Sequence, residues 1–219
     1  MGSQLTPKLT EYLEELEASG NGVVAEMEAL AAKEGFPIVG PQCGRVLATL
    51  ALAIGANRVF EMGSGFGYST YWFASAVGPH GEVVHTDWDE ANGELARRFL
   101  DRSGLERRCR FMSGDAVELL AQEPLPFDCI FLDIDKVEYP RALKVAVSKL
   151  RRRGLLIAHN VVWSGRVAEE SDDPETAALR QYNKEIMEHP ELLSFINPVH
   201  DGLAISLKVD PEVRSRVPV

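Results

Sequence analysis

The sequence predicts an α/β fold built on a seven-stranded, mostly parallel sheet, with helices on both faces, an antiparallel C-terminal hairpin strand and extra helices at the N-terminus. Three observations predict it. From Arg58 onward, short apolar runs alternate with amphipathic stretches, the order that winds a parallel sheet beneath helices. One run, 59–62, passes directly into three alternating glycines and a helical pattern. Near the C-terminus two apolar runs flank His200-Asp201-Gly202, and Asp-Gly in that setting is a hairpin signal.

Residues 8–18 and 23–33 are expected to be helices. Their apolar side chains recur at three- and four-residue spacing, Leu13 and Leu16 in the first and Val24, Met27 and Leu30 in the second. Glu34-Gly35-Phe36-Pro37 ends the second helix. Pro41 suits a first helical turn, where a missing N–H costs nothing, and the apolar series to Ile54 continues as a largely buried helix stopped by Gly55. Strands follow at 59–62, 83–86, 109–112, 129–132 and 155–158, then 192–199 and 203–209. Helices are expected at 69–76, 90–101, 116–121, 139–150 and 174–188. The basic triplet Arg151-Arg152-Arg153 reads as a solvated helix end or turn rather than an RNA patch.

Bulk properties narrow the function. The 219 residues, 45% hydrophobic and 26% charged, fit one domain spanning 1–219, with 1–40 an N-terminal helical extension and 41–209 the core. A formal charge of -10 argues against a surface built mainly for nucleic acid, since phosphate binding needs clustered Lys and Arg. Cys43, Cys109 and Cys129 are odd in number and lack CxxC spacing, so neither a disulfide framework nor a zinc knuckle is expected and a reducing cytoplasm fits. No apolar run approaches the roughly 18 residues needed to cross a membrane, and the polar, acidic first fifteen residues do not read as a leader. A cytoplasmic protein without membrane contact is expected.

The strongest local signal is the stretch Val59-Phe60-Glu61-Met62-Gly63-Ser64-Gly65-Phe66-Gly67-Tyr68-Ser69. Its glycines are spaced GxGxG, and Tyr68 stands where the dinucleotide GxGxxG pattern needs a small residue, which disfavours a pyrophosphate cradle. Glu61 would repel phosphates and suits a ligand carrying an ammonium and a sulfonium. The next strand ends at Asp87, an acid able to accept bonds from two ribose hydroxyls, and Trp88 beside it offers a stacking face for a purine. Gly114-Asp115-Ala116 follows the third strand, where a small residue and an acid can frame an adenine. A plain alternative is that the glycines form an ordinary turn and the acids merely cap strands.

Reaction chemistry in such sheets lies beyond the carboxyl ends of the strands. The fourth strand ends in Phe131-Leu132-Asp133-Ile134-Asp135-Lys136 with Tyr139 following. The fifth ends in Ala158-His159-Asn160, then Val161-Val162-Trp163-Ser164-Gly165-Arg166-Val167. At these residues the chain resembles the cation-dependent O-methyltransferase family, Rossmann-like class I methyltransferases that include catechol and caffeoyl-CoA O-methyltransferases. The resemblance covers about 38–208 and rests on EMGSGFGYS, FLDIDKxxY, LIAHNVVWSGRV and DGLAIS.

The resemblance implies S-adenosyl-L-methionine as cofactor and a hydroxyl of a small aromatic, catechol-like molecule as acceptor, methylated in line with the departing sulfur. The expected cofactor-binding set is Val39, Glu61, Gly63, Ser64, Gly65, Gly67, Tyr68, Ser69, Asp87, Trp88, Asp115, Ala116 and Asp133. Asp133 corresponds to a metal ligand of the family, and Lys136 to the base that takes the acceptor's proton. Lys136 has the alternative of a structural ion pair with Asp133 or Asp135. The family's fifth-strand pair is Asp-Asn; here Asn160 matches and His159 departs. Imidazole in place of an anionic oxygen shifts a divalent metal site of Asp133, His159 and Asn160 from Mg or Ca toward Fe, Co, Ni or Zn. Alternatively His159 is a base or hydrogen-bond partner in a metal-free enzyme, or the site has lost activity. Asp135 is a further carboxylate near this set, and Trp163, Tyr68 and Tyr139 are either site residues or packing.

Two other functions remain open at this stage. Bacterial members of the family methylate the wobble hydroxyuridine of tRNA and share the DGLAIS ending, and a cofactor-binding module without catalysis would also retain the glycine turn. The N-terminal helices, 8–33, are long for simple decoration and are expected to border the acceptor site or a partner subunit, and the resemblance further implies a homodimer.

Overall fold

The computed structural model describes residues 7–17 and 22–217. The first expected helix forms as α1 (Pro7–Glu17), and Ala18, its expected last residue, lies outside the described residues, as do 1–6 of the acidic N-terminus. Helix α2 (Val23–Glu34) ends at Gly35, whose left-handed φ of 65° lets its N–H reach the Ala31 carbonyl. Helix α3 (Gly40–Ala53) carries Pro41 in its first turn.

The alternating region forms β1 (Arg58–Met62), α4 (Tyr68–Ala76), β2 (Glu82–Asp87), α5 (Glu90–Arg102), β3 (Cys109–Ser113), α6 (Ala116–Gln122), β4 (Phe127–Leu132), α7 (Tyr139–Lys149) and β5 (Leu150–Ala158). After α8 (Pro174–Glu188), the hairpin β6 (Leu192–Asn197) and β7 (Leu203–Lys208) completes the sheet, and a short α9 (Pro211–Arg214) follows. Seven strands lie in the order β3-β2-β1-β4-β5-β7-β6, with β7 antiparallel to both neighbours and the rest parallel. The expected sheet is therefore the observed one.

Both faces of the sheet are covered, so its central strands read as continuous apolar runs rather than alternating ones. Val59, Val83, Cys129, Phe131 and Ile157 face a core shared with α2 to α5, while Phe60, Met62, Val84, Ile130, Leu132 and Leu156 face the core under α6 to α8. Each such side chain contributes roughly 1.5–3 kcal/mol on burial.

One element departs from expectation. Arg151, Arg152 and Arg153 lie inside β5, not in a helix end or turn. The strand starts early because Leu150 pairs with Phe127 across an irregularity in the β4–β5 register, and Arg151 bonds the Asp128 carboxylate on the neighbouring strand. Arg153 takes a left-handed φ of 59° there, and a side chain on Gly154 would collide with the Asp128 carbonyl at 2.8 Å. Among the described residues, no helix is long and apolar enough to cross a membrane.

Candidate active site

The strand order changes direction between β1 and β4, which opens a crevice beyond their carboxyl ends. The ladder of backbone bonds continues one step past the strands, with Ser64 N–H donating to Thr86 O (2.8 Å), Asp133 N–H to Met62 O (2.8 Å) and His159 N–H to Leu132 O (3.0 Å). Those three bonds fix the chain at the three residues that open the site. Above them lies a cavity of about 660 Å³.

Gly63 and Gly65 line this cavity with φ of 81° and 51°, and a Cβ on Gly63 would stand 2.2 Å from the Asp133 carbonyl oxygen. Ser64, Tyr68, Ser69, Asp87, Trp88, Asp115, Ala116, Asp133 and Val39 line it as well. Two expected residues do not. Gly67, at φ 89°, faces α5, where a Cβ would meet that of Ala96 at 2.7 Å, so its part is to let the turn pack closely. Glu61 is fully buried beneath the cavity floor. Burial pushes its pKa up to about 7, and the nearby hydroxyls of Ser69, Thr70 and Ser64 draw it back only in part, neither carboxylate oxygen meeting a well-aligned donor.

Asp87 is held in place by the Gly65 N–H (2.9 Å), the Asp89 N–H (2.9 Å) and Asn92 Nδ2 (3.0 Å). His85 supports the same turn from below, its Nε2 2.9 Å from Gly65 O. Trp88 is 72% exposed, a flat face at the rim. Asp115 caps α6 and pairs with Arg141 at 2.9 Å. Tyr68 turns its hydroxyl away to Glu28 on α2, at 2.6 Å. These residues shape one end of the cavity, with the glycine turn beneath it, the acids Asp87 and Asp115 on its wall and the aromatic Trp88 at its edge.

At the other end a chain of polar groups is buried against β4 and β5. Lys136 Nζ donates to Asp133 Oδ1 (2.9 Å), Ile134 O (3.1 Å) and the Tyr139 hydroxyl (3.1 Å), and Tyr139 in turn donates to His159 O (2.8 Å). Asp133 Oδ2 faces His159 Nδ1 at 3.1 Å, and His159 Nε2 faces His200 Nδ1 at 3.2 Å. Burial works to raise the Asp133 pKa, but the His159 hydrogen bond and the Lys136 charge outweigh it and hold the carboxyl at about 2. Asn160, at φ 56°, donates from Nδ2 to Asp201 (2.9 Å). Trp163 lines the cavity near the Lys136 ammonium.

Asp133, Lys136, His159 and Asn160 thus share one space. The expected Asp135 lines it too, and Arg166 instead stacks outside on Trp163. Hard cations such as Mg or Ca take six or more oxygen ligands. Here both Asp133 oxygens are bonded to Lys136 and His159, and position 159 offers nitrogen, a donor set that does not fit such an ion. Sequence reasoning missed Phe36, Ile38 and His200 on the cavity wall, and Cys43 behind it. His200 was legible only as a turn residue, because its 41-residue separation from His159 carries no local signal.

Comparison with known proteins shows the family and the fold. A family model described as O-methyltransferase matches residues 14–209. A catechol O-methyltransferase from Mycobacterium tuberculosis is 36% identical over 155 residues, 70% of each chain. Another from Niastella koreensis is 30% identical over 190 residues, covering 84% of this chain and 86% of its own. An O-methyltransferase from Bacillus cereus, solved in complex with SAH, superposes with a TM-score of 0.83 at 27% identity, over 92% of this chain and 97% of that one. A methyltransferase structure from Geobacter sulfurreducens reaches a TM-score of 0.82 at 30% identity, over 96% and 100%.

Proposed function

The chain belongs to the class I O-methyltransferase family and is a SAM-dependent enzyme, and from that premise we propose that its acceptor is a hydroxyl of a small aromatic, catechol-like molecule. The observation that carries the reading is that the glycine cradle and the Lys136–Asp133–His159 chain open into the same cavity. The catechol O-methyltransferase names of two relatives support the acceptor class.

S-adenosylmethionine supplies an electrophilic methyl on a sulfonium, which leaves as a neutral thioether when the acceptor oxygen takes the methyl. The chain's own residues handle the proton and the charge. Asp133 holds His159 through Nδ1–H, so the lone pair sits on Nε2, and it accepts the proton from the acceptor hydroxyl in exchange for its 3.2 Å contact with the exposed His200 Nδ1. Lys136, with three internal acceptors for its three protons, acts as the fixed cation of the set; this favours an electrostatic part over that of base. Trp163 and Ile38 supply apolar wall for an aromatic ring. Glu61, beneath the cradle, has its carboxyl pushed up to about 7 by burial, and a cationic cofactor bound above it draws that group toward the anion that complements the charge.

Phe36 to Val39 connect α2 to α3 and line the cavity, which supports a place for the N-terminal extension at the acceptor site. Leu9, Tyr12 and Leu16 on α1 are exposed, which supports a homodimer formed through this helix. The experiment is methyl transfer to catechol by His159→Gln. A kcat lower by roughly 10²–10⁴ with cofactor affinity retained is expected, and a rate equal to that of the unaltered enzyme refutes the assignment of His159.

A further inference from the structure

We propose that Cys43, His159 and His200 form an inhibitory site for a soft divalent cation of the zinc class. The three donors come from distant segments: the first turn of α3, the end of β5 and the loop between β6 and β7. One ligand atom from each lies within 4.8 Å of the other two, the one such group of His, Cys or acidic residues among the described residues.

The local geometry suits zinc. Two imidazole nitrogens on one tetrahedral zinc, each about 2.0–2.1 Å from the ion, stand roughly 3.3 Å apart. His159 Nε2 and His200 Nδ1 face each other at 3.2 Å. Asp133 Oδ2, 3.1 Å from His159 Nδ1, fixes the tautomer that leaves Nε2 to ligate, the outer partner that zinc-bound histidines ordinarily have. A thiolate and two imidazoles select zinc, cobalt or ferrous iron over magnesium and calcium. His200 is exposed, so the ion has a way in, and His159 is buried, so it is held once there.

This set differs from the one the family resemblance implies. Asp133 positions a ligand here and Asn160 takes no part, while Cys43 and His200 enter. Binding uses the His159 Nε2 lone pair, so metal and acceptor proton compete for one atom. The inhibitory consequence rests on the proposed base role of His159; the coordination does not.

Cobalt(II) titration of the full chain tests the coordination. A thiolate-to-cobalt charge-transfer band saturating at one equivalent is expected, absent in Cys43→Ser and unchanged in Asn160→Ala. No band, or one that persists in Cys43→Ser, overturns the site. Methyl transfer tests the consequence: zinc is expected to inhibit the unaltered enzyme at a concentration at least about tenfold below that needed for Cys43→Ser. Equal inhibition of both, or activation by zinc, overturns it. An enzyme without catechol methylation would refute the proposed function while the cobalt spectrum still decides the site.

Discussion

Lys136 donates each of its three protons to an acceptor inside the protein, one of them the Asp133 carboxylate that also orients His159. Removing that cation leaves the half-buried Asp133 carboxylate with less compensation and takes positive charge from the place where the proposed acceptor's oxyanion develops. Lys136→Met is therefore expected to lower kcat by roughly 10²-fold or more while leaving cofactor affinity within a few-fold, measured by steady-state kinetics and calorimetry. Loss of affinity with kcat intact would place Lys136 in the cofactor cradle instead. Glu61 makes a different prediction. Its folded pKa, about 7, lies above the ordinary 4.5, so the folded state holds a proton that the unfolded chain has released. Stability from this group is complete below about pH 4.5 and falls as pH rises to about 7, by about 3 kcal/mol in all. Glu61→Gln should remove most of that decline, seen as a smaller difference between unfolding free energies at about pH 5 and about pH 8. An unchanged difference contradicts the protonated reading. Asp133, Lys136 and Glu61 were legible because each sits at fixed spacing from a strand end; Glu61's burial below the floor was not, since strand alternation alone does not say which side of the turn a ligand takes.

At the scale of elements, the β1–α4 turn joins fold to site. Gly63 and Gly104 both have positive φ, 81° and 68°, but only Gly63 has backbone where a Cβ would go, whereas Gly104 faces open space. Gly104→Ala should cost only the left-handed penalty, about 1–2 kcal/mol. Gly63→Ala adds a collision with Asp133 and should cost at least about 3 kcal/mol, with weakened cofactor binding. Urea unfolding of the two variants checks this, and equal losses would mean that the turn has room to shift. The strands and helices were readable because the sheet is buried on both faces and its runs are bounded by turn residues. The arginine triplet misled because strand β5 begins in a polar, irregular stretch held by Asp128, a partner 23 residues away.

The whole molecule carries a formal charge of -10, and the cavity continues the same balance. Asp87, Asp115, Asp133, Asp135, Glu138 and Glu175 line it against Lys136 and Arg141, and both cations are already ion-paired, Lys136 with Asp133 and Arg141 with Asp115 and Glu138. Such a balance disfavours a polyanion, which supports the proposed small acceptor over tRNA. The composition made the overall balance legible; the placement of the acids around one cavity needed the fold. Labelled methyl followed from S-adenosylmethionine into catechol and into tRNA after exhaustive chelation tests methyl transfer to a small aromatic hydroxyl without a hard cation. Label in an O-methylated catechol, matched by S-adenosylhomocysteine and undiminished by the chelator, is the predicted result. Label in tRNA, or turnover that stops on chelation and returns with magnesium, would contradict it.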